Sequence, residues 1–258
     1  MLTDAGRTFL QHAQAVDQAC SRAHDAMASQ RPAHSVRLRV GATDELGTNL
    51  LAPLGLHFTQ NRPEIALDLQ IMPKSRLFLP DSDLDCMICA GLPAAEEGAD
   101  LIARGFARYV SRLYASPHYI ARRGMLTSVD DLPLHDLVAN AAPVGTVNWH
   151  LTDDATQRLI EPSGPLHTND NWVAKVCVIQ GQGIGLFPEF FAREHVLAGD
   201  LVEVLPNWHT VPTAINVLHH GHRFANLHIQ EFIAFLVADF EGFYHFPYRS
   251  GDILRRAG

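Results

Sequence analysis

The chain is poor in the features that mark secreted and membrane-spanning proteins. Its 4 cysteines are scattered, and their spacing shows no disulfide framework of the kind that secreted domains carry. No continuous apolar run approaches the length that a bilayer requires. The N-terminal segment carries polar and charged residues throughout, so it lacks the apolar core of an export signal. These absences predict a cytoplasmic protein.

Basic residues are also scarce. The formal net charge is -8, and only Lys74 and Lys175 are lysines. A chain that grips nucleic-acid phosphates normally presents a basic face, so this balance argues against the chain being the DNA-reading element. Schiff-base chemistry has few candidates, and no Ser-x-x-Lys motif occurs.

Two motifs that suggest cofactor or metal chemistry stand in the wrong context. Gly181-x-Gly183-x-Gly185 follows a predicted helix and precedes a predicted strand, whereas a dinucleotide fingerprint follows a strand and opens a helix. A glycine helix stop is the better interpretation. Cys86-x-x-Cys89 lies in a predicted strand, where residues three apart point to opposite faces. The pattern therefore predicts two core thiols and not a shared metal.

Other sequence motifs give little indication of metal binding or catalysis. His219-His220-Gly221-His222 lies at a predicted strand end without a nearby cysteine or carboxylate run, so metal binding there is a minor alternative. No Gly-x-Ser-x-Gly elbow, His-Glu-x-x-His pair or phosphate-binding loop occurs. We predict no catalytic residues, no metal, no cofactor and no enzymatic activity.

The N-terminal segment carries a heptad pattern. Small or apolar residues recur at steps of three and four, which is the spacing of a helix that pairs with another helix. This predicts a linker and dimerisation helix over residues 1–31, with an association seam that includes Leu2, Phe9, Ala13, Val16, Cys20 and Met27. A surface helix packed on its own domain is the alternative.

Strand and helix patterns alternate along the body, whose 258 residues and 47% apolar content suffice for one large or two small cores. Strands are predicted at 36–43, 65–72 and 85–90, and a helix capped by Thr43 at 44–61. This order implies a parallel sheet with helices on its faces.

The second half repeats the pattern. The predicted strands are 108–114, 137–140, 184–187 and 201–205, with a helix capped by Asn169 or Asp170 that runs to Gln180. A strand at 213–219 then returns to the first sheet, before a closing helix over 226–240. The prediction is an α/β fold of two lobes, 36–108 with 213–240 and 109–212, followed by a tail over 241–258. Two chain crossings leave a cleft at the strand ends, where small ligands bind.

Ordered segments along the chain resemble the LysR-type transcriptional regulators. Leu2-Thr3-Asp4-Ala5-Gly6-Arg7 is similar to the junction between their winged helix-turn-helix and linker helix, and here only Met1 precedes it. Six further segments resemble the effector domain of the family, namely residues 40–43, 50–53, 84–88, 114–120, 181–188 and 199–208. The resemblance implies a type II periplasmic-binding-protein-like fold with two Rossmann-like lobes joined by two crossover strands, used as a cytoplasmic ligand sensor.

The resemblance also implies an effector pocket, dimers or tetramers, and contact with DNA only through the winged helix-turn-helix. The pocket residues that it implies are Thr43, Asp44, Gly91, Leu92, Asn140, Asn169 and Phe187. Each is also explained as a cap or strand-end residue that supports the fold. A stand-alone solute-binding protein is the alternative function, although it predicts an export signal and no linker helix. The charge of the effector stays open.

Overall fold

The computed structural model describes residues 36–77, 83–92, 101–140, 147–220 and 226–243. The predicted linker helix, with its association seam, lies outside these residues, as does the tail beyond residue 243. The chain divides into two compact units. The first contains the described residues up to Ala107 and those from Ile215 onward, and the second is Arg108–Ala214.

The described strands, in chain order, are β1 (Val36–Ala42), β2 (Ile65–Ile71), β3 (Cys86–Ala90), β4 (Leu101–Tyr109), β5 (Ser111–Ala115), β6 (Ala139–Asn140), β7 (Trp149–Thr152), β8 (Gln157–Ile160), β9 (His167–Thr168), β10 (Ile184–Pro188), β11 (Val202–Glu203) and β12 (Thr213–His220). The described α-helices are α1 (Asp44–Leu46), α2 (Ala52–Asn61), α3 (Lys74–Leu77), α4 (Pro117–Arg123), α5 (Asn171–Ile179), α6 (Glu189–Ala198) and α7 (Leu227–Phe243). A π-helical segment, Gly47–Leu51, joins α1 to α2, and a 3₁₀ helix spans Val129–Leu134. Within these parts of the chain, no helix is long and apolar enough to cross a membrane.

The first unit is built on one sheet with strand order β2-β1-β3-β12-β4. β1 pairs in parallel with β2 and β3, and β12 returns to run antiparallel beside β3. Alternate β1 side chains are fully buried because one face of the strand enters the core, namely those of Leu38, Val40 and Ala42. The parallel order and the returning strand agree with the prediction.

Helices α2 and α7 pack together in the first unit through aromatic side chains. The Phe58 ring lies 5.1 Å from the Phe232 ring and 5.2 Å from the Phe235 ring, measured between centroids. The predicted single helix over 44–61 is instead interrupted by the π segment. Gly47 allows this segment to pack closely, since an added β-carbon there would overlap the Ile71 side chain.

The second unit has a different sheet from the one predicted. β10 and β11 flank β5, and both pairs run antiparallel, so the expectation of a second parallel sheet is wrong for these strands. The predicted strand over 108–114 spans the boundary at Val110 between β4 and β5. The antiparallel β7–β8 hairpin was not predicted from the sequence. The parallel pairs are the short β6–β9 ladder and a bridge between Leu137 and Ile184.

Candidate ligand-binding site

Two of the predicted pocket positions in the first unit meet at one edge of its sheet. Ala42 of β1 is in register with Ile88 of β3, and both strands run in the same direction. Their carboxyl ends therefore lie side by side, with Thr43 following β1 and Gly91 following β3. This is the edge of a parallel sheet at which α/β proteins bind small ligands.

Thr43 stands at the N-cap of α1 with extended backbone angles (φ -73°, ψ 161°), as predicted. Its side chain is half-buried and makes no capping hydrogen bond, so the hydroxyl does not bind the N–H groups at the helix terminus. The Thr43 carbonyl accepts the Gly47 N–H at 2.7 Å. Asp44, the next predicted residue, is exposed in the first helical turn. The Thr43 hydroxyl, which can donate and accept hydrogen bonds, thus belongs to the residue next to the exposed carboxylate of Asp44.

Gly91 adopts a left-handed conformation with φ +69°. Its carbonyl accepts the Asn216 side-chain N–H at 2.8 Å, and the neighbouring carbonyl of Ala90 accepts the Lys74 ammonium at 3.1 Å. Leu92, the following predicted residue, is 63% exposed. This edge therefore presents a cation, an amide and a hydroxyl on three different elements.

Lys74 and Asn216 were missed by the sequence reading. Lys74 lies on α3, whose four residues carry no signal of a binding site. Asn216 interrupts an apolar strand, Ile215-Asn216-Val217-Leu218, and a polar residue in such a run was the available signal. Its partner lies 125 residues earlier in the chain.

The predicted pocket residues of the second unit fall into two places. Asn140 and Thr168 end the parallel pair β6 and β9 in register with each other. The α5 helix begins immediately after, and Asp170 is its cap, accepting the Val173 N–H at 2.9 Å. The interpretation that Asn169 caps this helix is wrong. Asn169 is exposed one residue earlier, and the Asp170 N–H donates to the Thr168 hydroxyl at 3.2 Å.

Phe187 lies in the core of the second unit. Its side chain is 1% exposed, and its ring is stacked near Tyr114 and edge-on to Phe191, at centroid distances of 6.4 and 5.9 Å. The ring also packs on Gly185, where an added β-carbon would lie 2.5 Å from the Phe187 ring. Its visible contacts are therefore those of a packing residue.

The second unit also buries a lysine in an aromatic cage. The Lys175 ammonium lies 3.7 Å from the Phe191 ring centroid and 4.1 Å from that of Trp172, and donates to the Phe191 carbonyl at 3.2 Å. Burial lowers the pKa of Lys175 to about 8, and the charge of Glu194 opposes this. Cation–π attraction stabilises the charged form that burial disfavours. The cage ties α5 to α6.

An ion triad joins three elements of the same unit. One Arg112 nitrogen lies 3.1 Å from Glu203 of β11, and its Nε lies 3.5 Å from Glu189 at the start of α6. Burial raises the pKa of both carboxyls, and the guanidinium lowers it in part. The triad is mostly enclosed, which gives it the character of a structural clamp on β5.

The glycine motif and the cysteine pair that suggested other chemistry have structural surroundings. Gly181, with φ +78°, follows the end of α5, and β10 begins at Ile184, which confirms the helix stop. Cys86 and Cys89 are buried free thiols on β3, and burial raises the pKa of both. Across the described segments, no three histidine, cysteine or carboxylate side chains group as metal ligands. Gly221 and His222 lie outside those segments.

The family follows from a comparison of the sequence with known proteins. The LysR substrate binding domain model matches residues 33–241. The chain belongs to the LysR substrate-binding domain family. The resemblance in the sequence and the periplasmic-binding-protein-like fold that it implied are thereby confirmed.

Relatives of this LysR-family chain are named as transcriptional regulators. An HTH-type transcriptional regulator of Xanthomonas campestris pv. campestris (strain 8004) is 27% identical over 240 residues, which cover 92% of this chain and 69% of the relative. The probable HTH-type transcriptional regulator LtrA of Klebsiella pneumoniae is 27% identical over 208 residues, 80% of this chain and 66% of the relative. The chain thus spans about two thirds of the length of these relatives.

Solved regulatory domains share the fold. That of CrgA, a LysR-type transcriptional regulator from Neisseria meningitidis, gives a TM-score of 0.69 at 24% identity, covering 79% of this chain and 98% of that one. That of AphB in Vibrio vulnificus gives 0.64 at 25% identity, covering 78% and 99%.

Proposed function

We propose that this chain is the ligand-sensing and oligomerising part of a LysR-type transcriptional regulator. A small-molecule effector binds in the cleft between the two lobes, and its binding controls DNA binding and transcription. DNA is contacted through the winged helix-turn-helix of the regulator, and the chain itself catalyses no reaction. The observation that carries the proposal is the carboxyl edge of β1 and β3, where Thr43 and Gly91 follow neighbouring parallel strands.

Three properties of this edge suit a small polar ligand. The Thr43 hydroxyl is not used in helix capping, so it can donate to or accept from a ligand. Gly91 leaves open space among the described residues, since none of their atoms is found within 4 Å of an added β-carbon. Lys74 supplies a positive charge while Asp44 supplies a negative one, which suits ligands with a carboxylate, an amine or both.

The Thr43→Val variant tests the site because it removes the hydroxyl and keeps the shape. A thermal-shift screen of small carboxylic acids, amino acids and aromatic acids should first find a compound that raises the melting temperature of the full chain. When the free compound is at a hundred times its Kd, binding should raise the free energy of unfolding by about 2.7 kcal/mol. We expect Thr43→Val to raise the Kd for this compound roughly tenfold, which is the effect of one lost hydrogen bond.

Thr59→Val is the matched control, because the Thr59 hydroxyl donates to the Leu56 carbonyl on the exposed side of α2. It should leave the ligand-induced shift unchanged. Equal ligand affinity in Thr43→Val and in the unmodified chain, measured by calorimetry, removes Thr43 from the site. A screen in which no compound class stabilises the chain counts against the sensor function itself.

Self-association is supported by apolar side chains exposed on two helices. Leu56 on α2 is 62% exposed, and Val173 and Val176 on α5 are 48% and 55% exposed. β2 is also an edge strand of the described sheet. Apolar side chains that share one exposed helix face, as Val173 and Val176 do at three residues apart, can form part of a surface that meets another protein chain. We propose that copies of this chain cover them in an oligomer.

Charged replacements at these positions should weaken the oligomer. Leu56→Asp and Val176→Asp each place a carboxylate in the proposed interface, and we expect at least a tenfold rise in the dissociation constant by analytical ultracentrifugation. Leu159→Asp is the control, because Leu159 is 60% exposed and lies on β8, which is part of neither helix. If neither helix variant changes the mass distribution while the chain stays folded, these faces are not the interface.

A further inference from the structure

The strongest unassigned cluster is a hydrogen-bond chain in the second unit. Tyr119 of α4 is fully buried, at 0% exposure. Its hydroxyl accepts the backbone N–H of Asp136 at 3.0 Å and lies 3.1 Å from Nδ1 of His135. His135 follows the 3₁₀ helix and is half-buried. The cluster has no part in the proposed ligand site.

Proton counting fixes the direction of each bond. A backbone N–H can only donate, so the Tyr119 oxygen is the acceptor from Asp136. The phenol proton also needs an acceptor in this buried site, and among the described residues His135 Nδ1 is the acceptor beside it, which requires an unprotonated Nδ1. In the doubly protonated imidazolium both ring nitrogens are donors. The Tyr119 proton would then lose its acceptor in a buried site, where an unpaired polar group is costly.

Asp136 connects this bond to the strand that follows. Its carbonyl accepts the Ile184 N–H at 2.9 Å, and the Ile184 carbonyl accepts the Val138 N–H at 2.9 Å. Gly183 also packs directly on the Asp136 carbonyl. The Tyr119 hydroxyl therefore binds the N–H of Asp136, while the carbonyl of Asp136 pairs with Ile184 of β10. The chain continues from Asp136 into β6.

We propose that Tyr119 and His135 form a proton-sensitive latch, closed when His135 is neutral and released when Nδ1 is protonated, which controls the order of residues 135–140. The input is the proton alone, and no ligand takes part. The latch is therefore a second response, separate from effector binding, and it can stand or fall independently of that proposal.

Charged groups on α4, on the 3₁₀ helix and at the next residue act on His135. Burial is the largest influence and lowers the pKa of His135, and the charge of Arg123 on α4 lowers it further. Asp131 of the 3₁₀ helix and Asp136 act in the opposite direction. Arg122 lies over the Tyr119 ring, with its guanidinium carbon 5.7 Å from the ring centroid.

The sign of the pH effect follows from this lowered pKa. A histidine whose pKa is lower in the folded state takes up a proton more readily when unfolded. Its stabilising contribution is complete above the ordinary pKa, about 6.5, and is lost as the pH falls through the folded value. The raised pKa values of Glu189 and Glu203 give the opposite sign, because their protonation on acidification favours the folded over the unfolded chain. Variants must therefore separate the two.

His135→Asn is the decisive variant, because the asparagine Oδ1 accepts near the position of Nδ1 and does not titrate. Hydrogen exchange of peptides covering 135–140 is measured on the full chain from pH 7.5 to 5.5, corrected for intrinsic rates. We expect exchange to accelerate about fivefold to tenfold in the unmodified chain, as for one lost hydrogen bond. His135→Asn should abolish this, whereas the exposed control His150→Asn should keep it.

Tyr119→Phe supplies a second readout. Loss of the phenol removes the donor that favours the neutral imidazole, so the His135 titration midpoint in NMR spectra should move upward. An unmoved midpoint, or the same acid-dependent exchange in His135→Asn as in the unmodified chain, overturns the latch. If Tyr119→Phe does not fold, the exchange comparison in His135→Asn decides the question alone.

Discussion

Phe187→Ala is expected to lower the free energy of unfolding by about 3–5 kcal/mol, the range for deleting a buried aromatic side chain. Phe187 is 1% exposed and contacts the rings of Tyr114 and Phe191, so its removal leaves a cavity lined by side chains that are themselves held in place. Urea unfolding followed by tryptophan fluorescence measures the change. The result bears on the predicted effector role of Phe187, because a destabilised chain binds any ligand less well.

Phe187→Leu separates packing from recognition. Leucine keeps most of the buried volume, so we expect a loss of only about 1 kcal/mol. Effector binding by Phe187→Leu then reports on the ring itself. A Phe187→Ala chain that unfolds at the same urea concentration as the unmodified chain contradicts the packing role derived from these contacts.

Gly183→Ala is expected to cost about 3 kcal/mol, because strain and steric overlap act together. Gly183 has φ +153°, a conformation that side-chain-bearing residues rarely adopt, and an added β-carbon would overlap the carbonyl oxygen of Asp136. That oxygen is backbone and also accepts the Ile184 N–H, so it cannot move aside without breaking the pairing. Thermal unfolding monitored by circular dichroism gives the shift.

Gly199→Ala is the matched control for this strain. Gly199 ends α6 with φ +82°, but no atom of the part of the chain that the structure describes lies within 4 Å of an added β-carbon. Only the left-handed conformation is penalised there, at about 1 kcal/mol. Equal losses in the two variants would show that the contact with Asp136 carries no weight.

Periodicity was sufficient for β1 and β3 of the first unit because most of the residues in these two strands are buried. The β1 residues alternate toward the core, and the helix that follows carries its apolar side chains on one face. A βαβ order admits few topologies, so the parallel pairing of β1 with β2 and β3 followed from the order alone. The return of β12 to this sheet came from the same reasoning.

Pairing between distant segments was beyond the reach of such patterns. The antiparallel register of β5 with β10 and β11 depends on contacts that local hydrophobicity does not encode. The choice between Asn169 and Asp170 as cap had the same origin, since both side chains can cap a helix. It is the Thr168 hydroxyl, bonded to the Asp170 N–H, that accompanies the observed choice.

Some residues of the candidate site could be predicted from local sequence patterns, and others could not. Positions just after strands, such as Thr43 and Gly91, were predictable because strand ends are visible in the sequence. Lys74 and Asn216 reach this edge from α3 and β12 through hydrogen bonds to the end of β3, and no local pattern announces such contacts. The Tyr119–His135 bond was equally hidden, since the two residues are separated by 16 positions and different elements.

The position of β12 between β3 and β4 has a consequence for synthesis on the ribosome. Arg108–Ala214 is continuous, so the nascent chain can complete the second unit while it is still being translated. β3 and β4 emerge early but cannot be joined until Thr213–His220 has been made and inserted between them. During that interval their edges are open to pairing with other chains, which makes late translation the period of greatest aggregation risk.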